Sequence, residues 1–184
     1  MSSLSRVVLT SSNRLRRGKG ETVRMSSPAL VEGEIMIRRP VEDVFDYVAD
    51  ERHEPNFNTR MSHVELLTPE PIGVGSRFAI EMTMMGRPFN MTVEFTAFER
   101  PSLLGSKSRS LPQGGKGRPL LTSGRLTFDP VSEGTLMRWS WQVETPGAMK
   151  LLTPLVARMG RRQERRVWTS LKRLLEQQPL KGCR

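Results

Sequence analysis

Two histidines and one cysteine set narrow limits on the chemistry open to this chain of 184 residues. His63 is the one side chain in the strand-rich middle suited to moving a proton near neutral pH, which makes it the candidate catalytic group. Its neighbours Val64 and Leu66 read as an inward pair, and that alternation turns His63 outward. His53 sits in the acidic stretch around Glu54 and reads as solvated. Glu81, Glu94 and Glu144 fall on the polar side of their segments, so no paired-carboxylate acid–base site is expected. Cys183 stands alone beside the C-terminus, which excludes an internal disulfide and a cysteine-rich metal centre. Neither a metal nor any other cofactor is expected. Gly114-Gly115-Lys116-Gly117 matches a phosphate loop in composition, without its spacing or the helix that should follow.

What remains is apolar recognition. Met82, Met84, Met91 and Met159 are unbranched and polarisable, and suit a pocket that adapts to varied apolar shapes. With Phe57, Phe78, Phe95, Trp139, Trp141, Leu152 and Val156 they form the candidate ligand-binding set. Ordinary core filling is the alternative for each of them. The indole N–H of Trp139 or Trp141 would need a partner once buried, either a ligand or a neighbouring side chain.

The elements that must position these residues show in the periodicity. Val31, Gly33, Ile35 and Ile37 alternate with charged residues, as in a half-buried strand. Pro40 ends it, and Val41, Val44, Phe45 and Val48 mark a short helix, followed by a second turn of helix or a loop at residues 53–57. Strand patterns then recur: Ser62–Thr68; Phe78, Ile80, Met82 and Met84; Phe89, Met91, Val93, Phe95 and Ala97; a weaker one at Ser102–Arg109; Leu120 to Phe128; and Met137 to Val143. A long helix begins at Ala148 or Thr153 and runs to about Gln177. Leu152, Leu155, Val156, Met159, Val167, Leu171 and Leu174 lie on one side, and Arg158, Arg161, Arg162, Arg165 and Lys172 on the other.

The expected class is α+β: a curved antiparallel sheet of about seven strands around one long C-terminal helix, with two short helices after the first strand. A single helix cannot fill the concave side of such a sheet. The leftover space predicts an elongated cavity with few polar groups.

Charge adds a second constraint. The net charge of +10 is concentrated in residues 1–28 (+5) and 150–173 (+7), while residues 29–149 carry −3. Residues 1–28 read as a disordered basic tail outside the fold, with Met25 an alternative start; residues 178–184 form a C-terminal tail. Few aromatics interleave with the helix arginines, so nucleic acid is not expected. Arg158, Arg161, Arg162 and Arg165 would suit an anionic membrane or an acidic protein. No run of about 20 apolar residues is present, and the lone cysteine with no secretory signal fits a cytoplasmic protein.

The stretch Arg39-Pro40-Val41-Glu42-Asp43-Val44-Phe45-Asp46-Tyr47-Val48-Ala49-Asp50 resembles the opening of the START-like SRPBCC superfamily, which includes polyketide cyclase/dehydrase-like and birch-pollen-allergen-like proteins. Gly73-Val74-Gly75-Ser76-Arg77-Phe78 and Glu133-Gly134-Thr135 agree in order, and the resemblance covers about residues 29–177. It implies a helix-grip fold with a hydrophobic pocket, with Phe57 near its mouth, and no single activity. Binding of a small hydrophobic or aromatic molecule is the first expectation. A cyclase/dehydrase-like enzyme working in the same cavity without metal or nucleotide is the second, and an interaction module using the basic helix the third.

Overall fold

The computed structural model describes residues 28–115, 117–144 and 153–177. Seven strands form one antiparallel sheet: β1 (Ala29–Ile37), β2 (Met61–Leu66), β3 (Arg77–Met84), β4 (Arg87–Glu99), β5 (Leu103–Pro112), β6 (Leu120–Val131) and β7 (Gly134–Glu144). Their spatial order is β1-β7-β6-β5-β4-β3-β2. Helix α1 (Val41–Val48) and a 3-10 helix (Glu51–Asn56) follow β1, and α2 (Thr153–Gln177) closes the chain. This is the order of strands and helices expected from the residue pattern, and the helix-grip arrangement that the resemblance implies. The sequence expectations for residues 1–27 and 178–184, for a helix start at Ala148, and for Leu152 fall outside the described residues, as does the side chain of Val156.

Strand faces follow the alternation closely. Phe78, Ile80 and Met82 are buried on β3, Leu126 and Phe128 on β6, and Met137 and Trp139 on β7. On β4 the alternation holds through Phe95 and then shifts at a β-bulge between Phe95 and Ala97. The bulge corrects the expected inward position of Ala97, because it brings Phe98 onto the core instead. Phe98 meets Phe45 of α1 edge-on at 5.3 Å, and Phe45 meets Phe128 at 5.3 Å. Such ring pairs add roughly 0.5–1.5 kcal/mol each beyond the area they bury.

Helix α2 requires a larger correction. Leu155 and Met159 are 52% and 53% exposed, so they do not continue the inward stripe. The stripe that packs runs through Ala157, Gly160, Glu164, Val167, Trp168, Leu171 and Leu175, at helical spacing. Gly160 sets the register: a Cβ there would lie 2.7 Å from Val31 Cγ2, so only glycine lets α2 approach β1 this closely. Leu155 and Met159 lie off that line whatever their hydropathy.

The helix also bonds to the outer edge of β1. Lys172 Nζ donates to the Met36 carbonyl at 2.6 Å and Arg161 Nη1 to the Leu30 carbonyl at 3.2 Å. Arg38 N donates to Glu176 Oε1 at 2.8 Å. Arg39, 7% exposed, donates from Nε to the Leu175 carbonyl at 2.7 Å, placing a cation at the negative end of the helix. Arg39→Met keeps the length and removes this bond. A loss of about 2 kcal/mol is expected, read as a lower urea midpoint with unchanged slope.

Candidate functional site

A cavity of about 250 Å³ lies between the sheet and α2. Its origin is compositional. β5, in the middle of the sheet, presents Ser106, Ser108 and Ser110 to the interior, and β6 adds Thr122. These side chains are too short to reach the helix. The same small residues made Ser102–Arg109 look like a weak strand, although β5 is ten residues long. Met82 and Met84 of β3, Met91 of β4 and Leu126 of β6 supply apolar lining, with Trp141 of β7 and Phe57 nearer the 3-10 helix.

Of the sequence-predicted ligand residues, Phe57, Met82, Met84, Met91 and Trp141 therefore border the cavity. Phe78 and Phe95 do not: both are buried in the core, with ring centroids 5.4 Å apart. Trp139 is also absent from the lining. Its ring lies over Gly33, where a Cβ would come within 2.3 Å of Cζ2, and its indole Nε1 is buried without a partner. Met159 points away from the cavity, for the reason given above. His63 is exposed on β2, while His53, expected to be solvated, is half-buried. It stacks on Tyr47 at 4.4 Å with Nδ1 2.9 Å from the Tyr47 carbonyl.

The polar end of the cavity departs from expectation. Glu51 and Glu54 of the 3-10 helix, Asn58, Arg60 and Glu164 of α2 all reach it. The strand carboxylates do point outward, and Glu94 pairs with Lys107 at 2.7 Å. The acids that matter come from the helices. Glu164 is held in place by two tryptophans: Trp141 Nε1 and Trp168 Nε1 each donate to its Oε2 at 3.0 Å. Trp168 sits between Phe57 and Trp139, with ring centroids 6.1 and 6.2 Å away. Glu54 Oε1 accepts from Asn58 Nδ2 at 2.9 Å, and Arg60 Nε donates to the Thr83 carbonyl at 3.0 Å. Among the described residues, no salt bridge engages Glu51, Glu54 or Glu164.

Electrostatics follow from this placement. Burial, and then repulsion from Glu54, raise the Glu164 pKa to about 7, against the two indole bonds and Arg60, which lower it. Burial pushes Glu51 well above the ordinary carboxyl range, reinforced by Glu54 and Asp50. Burial raises Asp50 too, but the bonds from Arg52 outweigh it and hold that carboxyl low. Desolvation lowers Arg60. The site thus combines an apolar chamber with a carboxyl that exchanges its proton near neutrality. Glu164 had a legible signal: it is the one acid among the eight bases of residues 150–173, and it falls on the spacing of Trp168, Leu171 and Leu175.

A curved antiparallel sheet gripping one long helix over a cavity is the helix-grip fold. Within it, the chain belongs to the family of polyketide cyclase / dehydrase and lipid transport proteins, whose sequence profile matches residues 28–176, and so to the START-like SRPBCC superfamily. No curated protein matches it. Among solved structures it is similar to Ara h 8.0201, at 14% identity and TM-score 0.64, covering 81% of this chain and 98% of that one. It is similar also to a protein from Thermus thermophilus, at 19% identity and TM-score 0.61 over 81% and 99% of the two chains. A START superfamily protein from Mycobacterium smegmatis shares 16% identity at TM-score 0.60, over 80% and 97%. At these identities the likeness is one of fold. Among the described residues, no helix is long and apolar enough to cross a membrane.

Proposed function

We propose that this protein binds a compact hydrophobic or aromatic molecule in the cavity between sheet and helix. The observation that carries this reading is the chamber itself, about 250 Å³ bordered by Met82, Met84, Met91, Leu126 and Trp141. Its volume lies just below the usual range for small-molecule sites, roughly 300–1,000 Å³, which favours a one- or two-ring body over a long diacyl lipid. Adaptable methionines suit a range of such bodies.

The test is uptake of a neutral fluorophore, N-phenyl-1-naphthylamine, followed by its blue-shifted emission. Met82→Trp and Met91→Trp put an indole into the chamber and are expected to weaken uptake by about tenfold while the protein stays folded by circular dichroism. Full-strength uptake by both variants would remove those positions from the site. Native mass spectrometry of the purified protein, followed by extraction, is the way to find the physiological molecule.

One observation favours a second reading, turnover of the cyclase/dehydrase kind. A Glu164 pKa near 7 suits general acid–base work at neutral pH, and the cavity would hold a reactive chain against it. A binding protein would show stoichiometric, reversible occupancy. An enzyme would show a product whose formation rises or falls with a midpoint near pH 7.

A further inference from the structure

We infer that the cavity selects ligands whose apolar ring system carries a protonated amine, with Glu164 as the residue that receives it. The inference rests on the cavity being a ligand site and goes on to name the chemistry of its occupant. Three observations lead there. First, Oε2 of Glu164 takes both indole bonds, from Trp141 and Trp168, which fixes the carboxyl and leaves Oε1 without a protein partner among the described residues. Second, the groups facing it are lopsided in charge. The 3-10 helix contributes Glu51 and Glu54, with Asp50 just before it already paired to Arg52 at 2.8 Å. Against them stands the single cation Arg60, one of whose five N–H donors goes to the Thr83 carbonyl. α1 adds Tyr47 and Val48, α2 adds Gln163, and the facing strands add no charged side chain, only apolar residues, serines, a threonine and Trp141.

Third, the rings of Tyr47, Trp141 and Trp168 border the same end, and aromatic side chains favour a nearby cation. An anionic head such as a fatty-acid carboxylate would meet Glu54 and Glu164 against the single guanidinium of Arg60, a balance that disfavours it. A protonated amine would complete the ion pair that Glu164 lacks, in a setting where charge-assisted bonds are strongest. Burial of an unpaired carboxylate has a free-energy cost, and a bound amine would offset it.

The experiment compares one ring system with two heads: 1-naphthylmethylamine and 1-naphthoic acid, titrated by calorimetry and tryptophan quenching at pH 8. N-phenyl-1-naphthylamine uptake by the unmodified protein serves as the control for the chamber. The amine is expected to bind at least tenfold more tightly than the carboxylate. Glu164→Gln is expected to shrink that ratio to below about threefold, chiefly by weakening the amine. A second readout needs no variant: amine affinity in the native protein should climb between pH 6 and pH 8, as Glu164 ionises while the amine stays charged. Equal binding of the two heads, or a preference for the amine that survives Glu164→Gln with a flat pH profile, would overturn the assignment while leaving the cavity reading intact. Failure of the neutral fluorophore to enter the native protein would instead remove the cavity reading, and this inference with it.

Discussion

Glutamine in place of Glu164 is expected to retain, above pH 8, about 3 kcal/mol of stability that the native protein loses. The size follows from a carboxyl raised from its ordinary 4.5 to about 7 in the folded chain, mainly by burial and then by Glu54. An acid whose folded pKa is raised binds protons more tightly when folded. Its contribution is therefore fully present below about pH 4.5 and drains away as pH climbs through 7. The glutamine carbonyl can still accept from Trp141 and Trp168, so the indole contacts survive. Glu51 is raised as well and remains in both proteins, so both should soften with alkali, the native one more steeply. Urea midpoints at pH 5 and pH 8.5 decide the matter. Parallel decline in the two proteins would mean that Glu164 is hydrated in the folded state rather than desolvated.

Gly124→Ala is expected to destabilise by about 3 kcal/mol or more. Gly124 of β6 stands opposite Trp141 of β7, and a Cβ there would lie 2.0 Å from the Ser140 carbonyl oxygen and 2.6 Å from Trp141 Cε3. The first obstacle is the backbone of the neighbouring strand, which cannot yield without shifting the ladder. The second is the indole that steadies Glu164, so surviving folded protein should also lose amine selectivity. Gly33→Ala provides the contrast, since the nearest atoms its Cβ would meet belong to the side chain of Trp139 and not to backbone. A thermal melt that places Gly124→Ala level with the native protein would show that β6 and β7 are spaced more loosely than described.

The strands were legible because one face of each is wet, and period-2 alternation survives wherever that holds, as in Phe78-Ala79-Ile80-Glu81-Met82. Alternation carries no warning of a bulge, so Phe98 was hidden behind Ala97. On α2, hydropathy favoured Leu155 and Met159, but close approach at Gly160 and the bulk of Trp168 decide which face packs. The site was half legible. Its apolar lining could be named from the strands, whereas its polar end depends on where the 3-10 helix and α2 meet in space. Glu51 and Glu54 lie more than a hundred residues before Glu164 in the chain, and a charged residue on an amphipathic helix ordinarily faces water. Only its company on the packing stripe sets Glu164 apart.

The clasp between α2 and β1 has a consequence for how copies of this protein behave toward one another. A nine-residue outer strand is a template on which a second chain could extend the sheet. Here Lys172 and Arg161 bond the Met36 and Leu30 carbonyls near its two ends and Glu176 the Arg38 amide just beyond it, so the protein's own last helix covers much of the template. The opposite border, β2, is only six residues long and carries His63 and Glu65, a poor partner for cross-strand growth. Solubility at high concentration is thus tied to the docking of α2, and release of that helix would expose the seed of an aggregate.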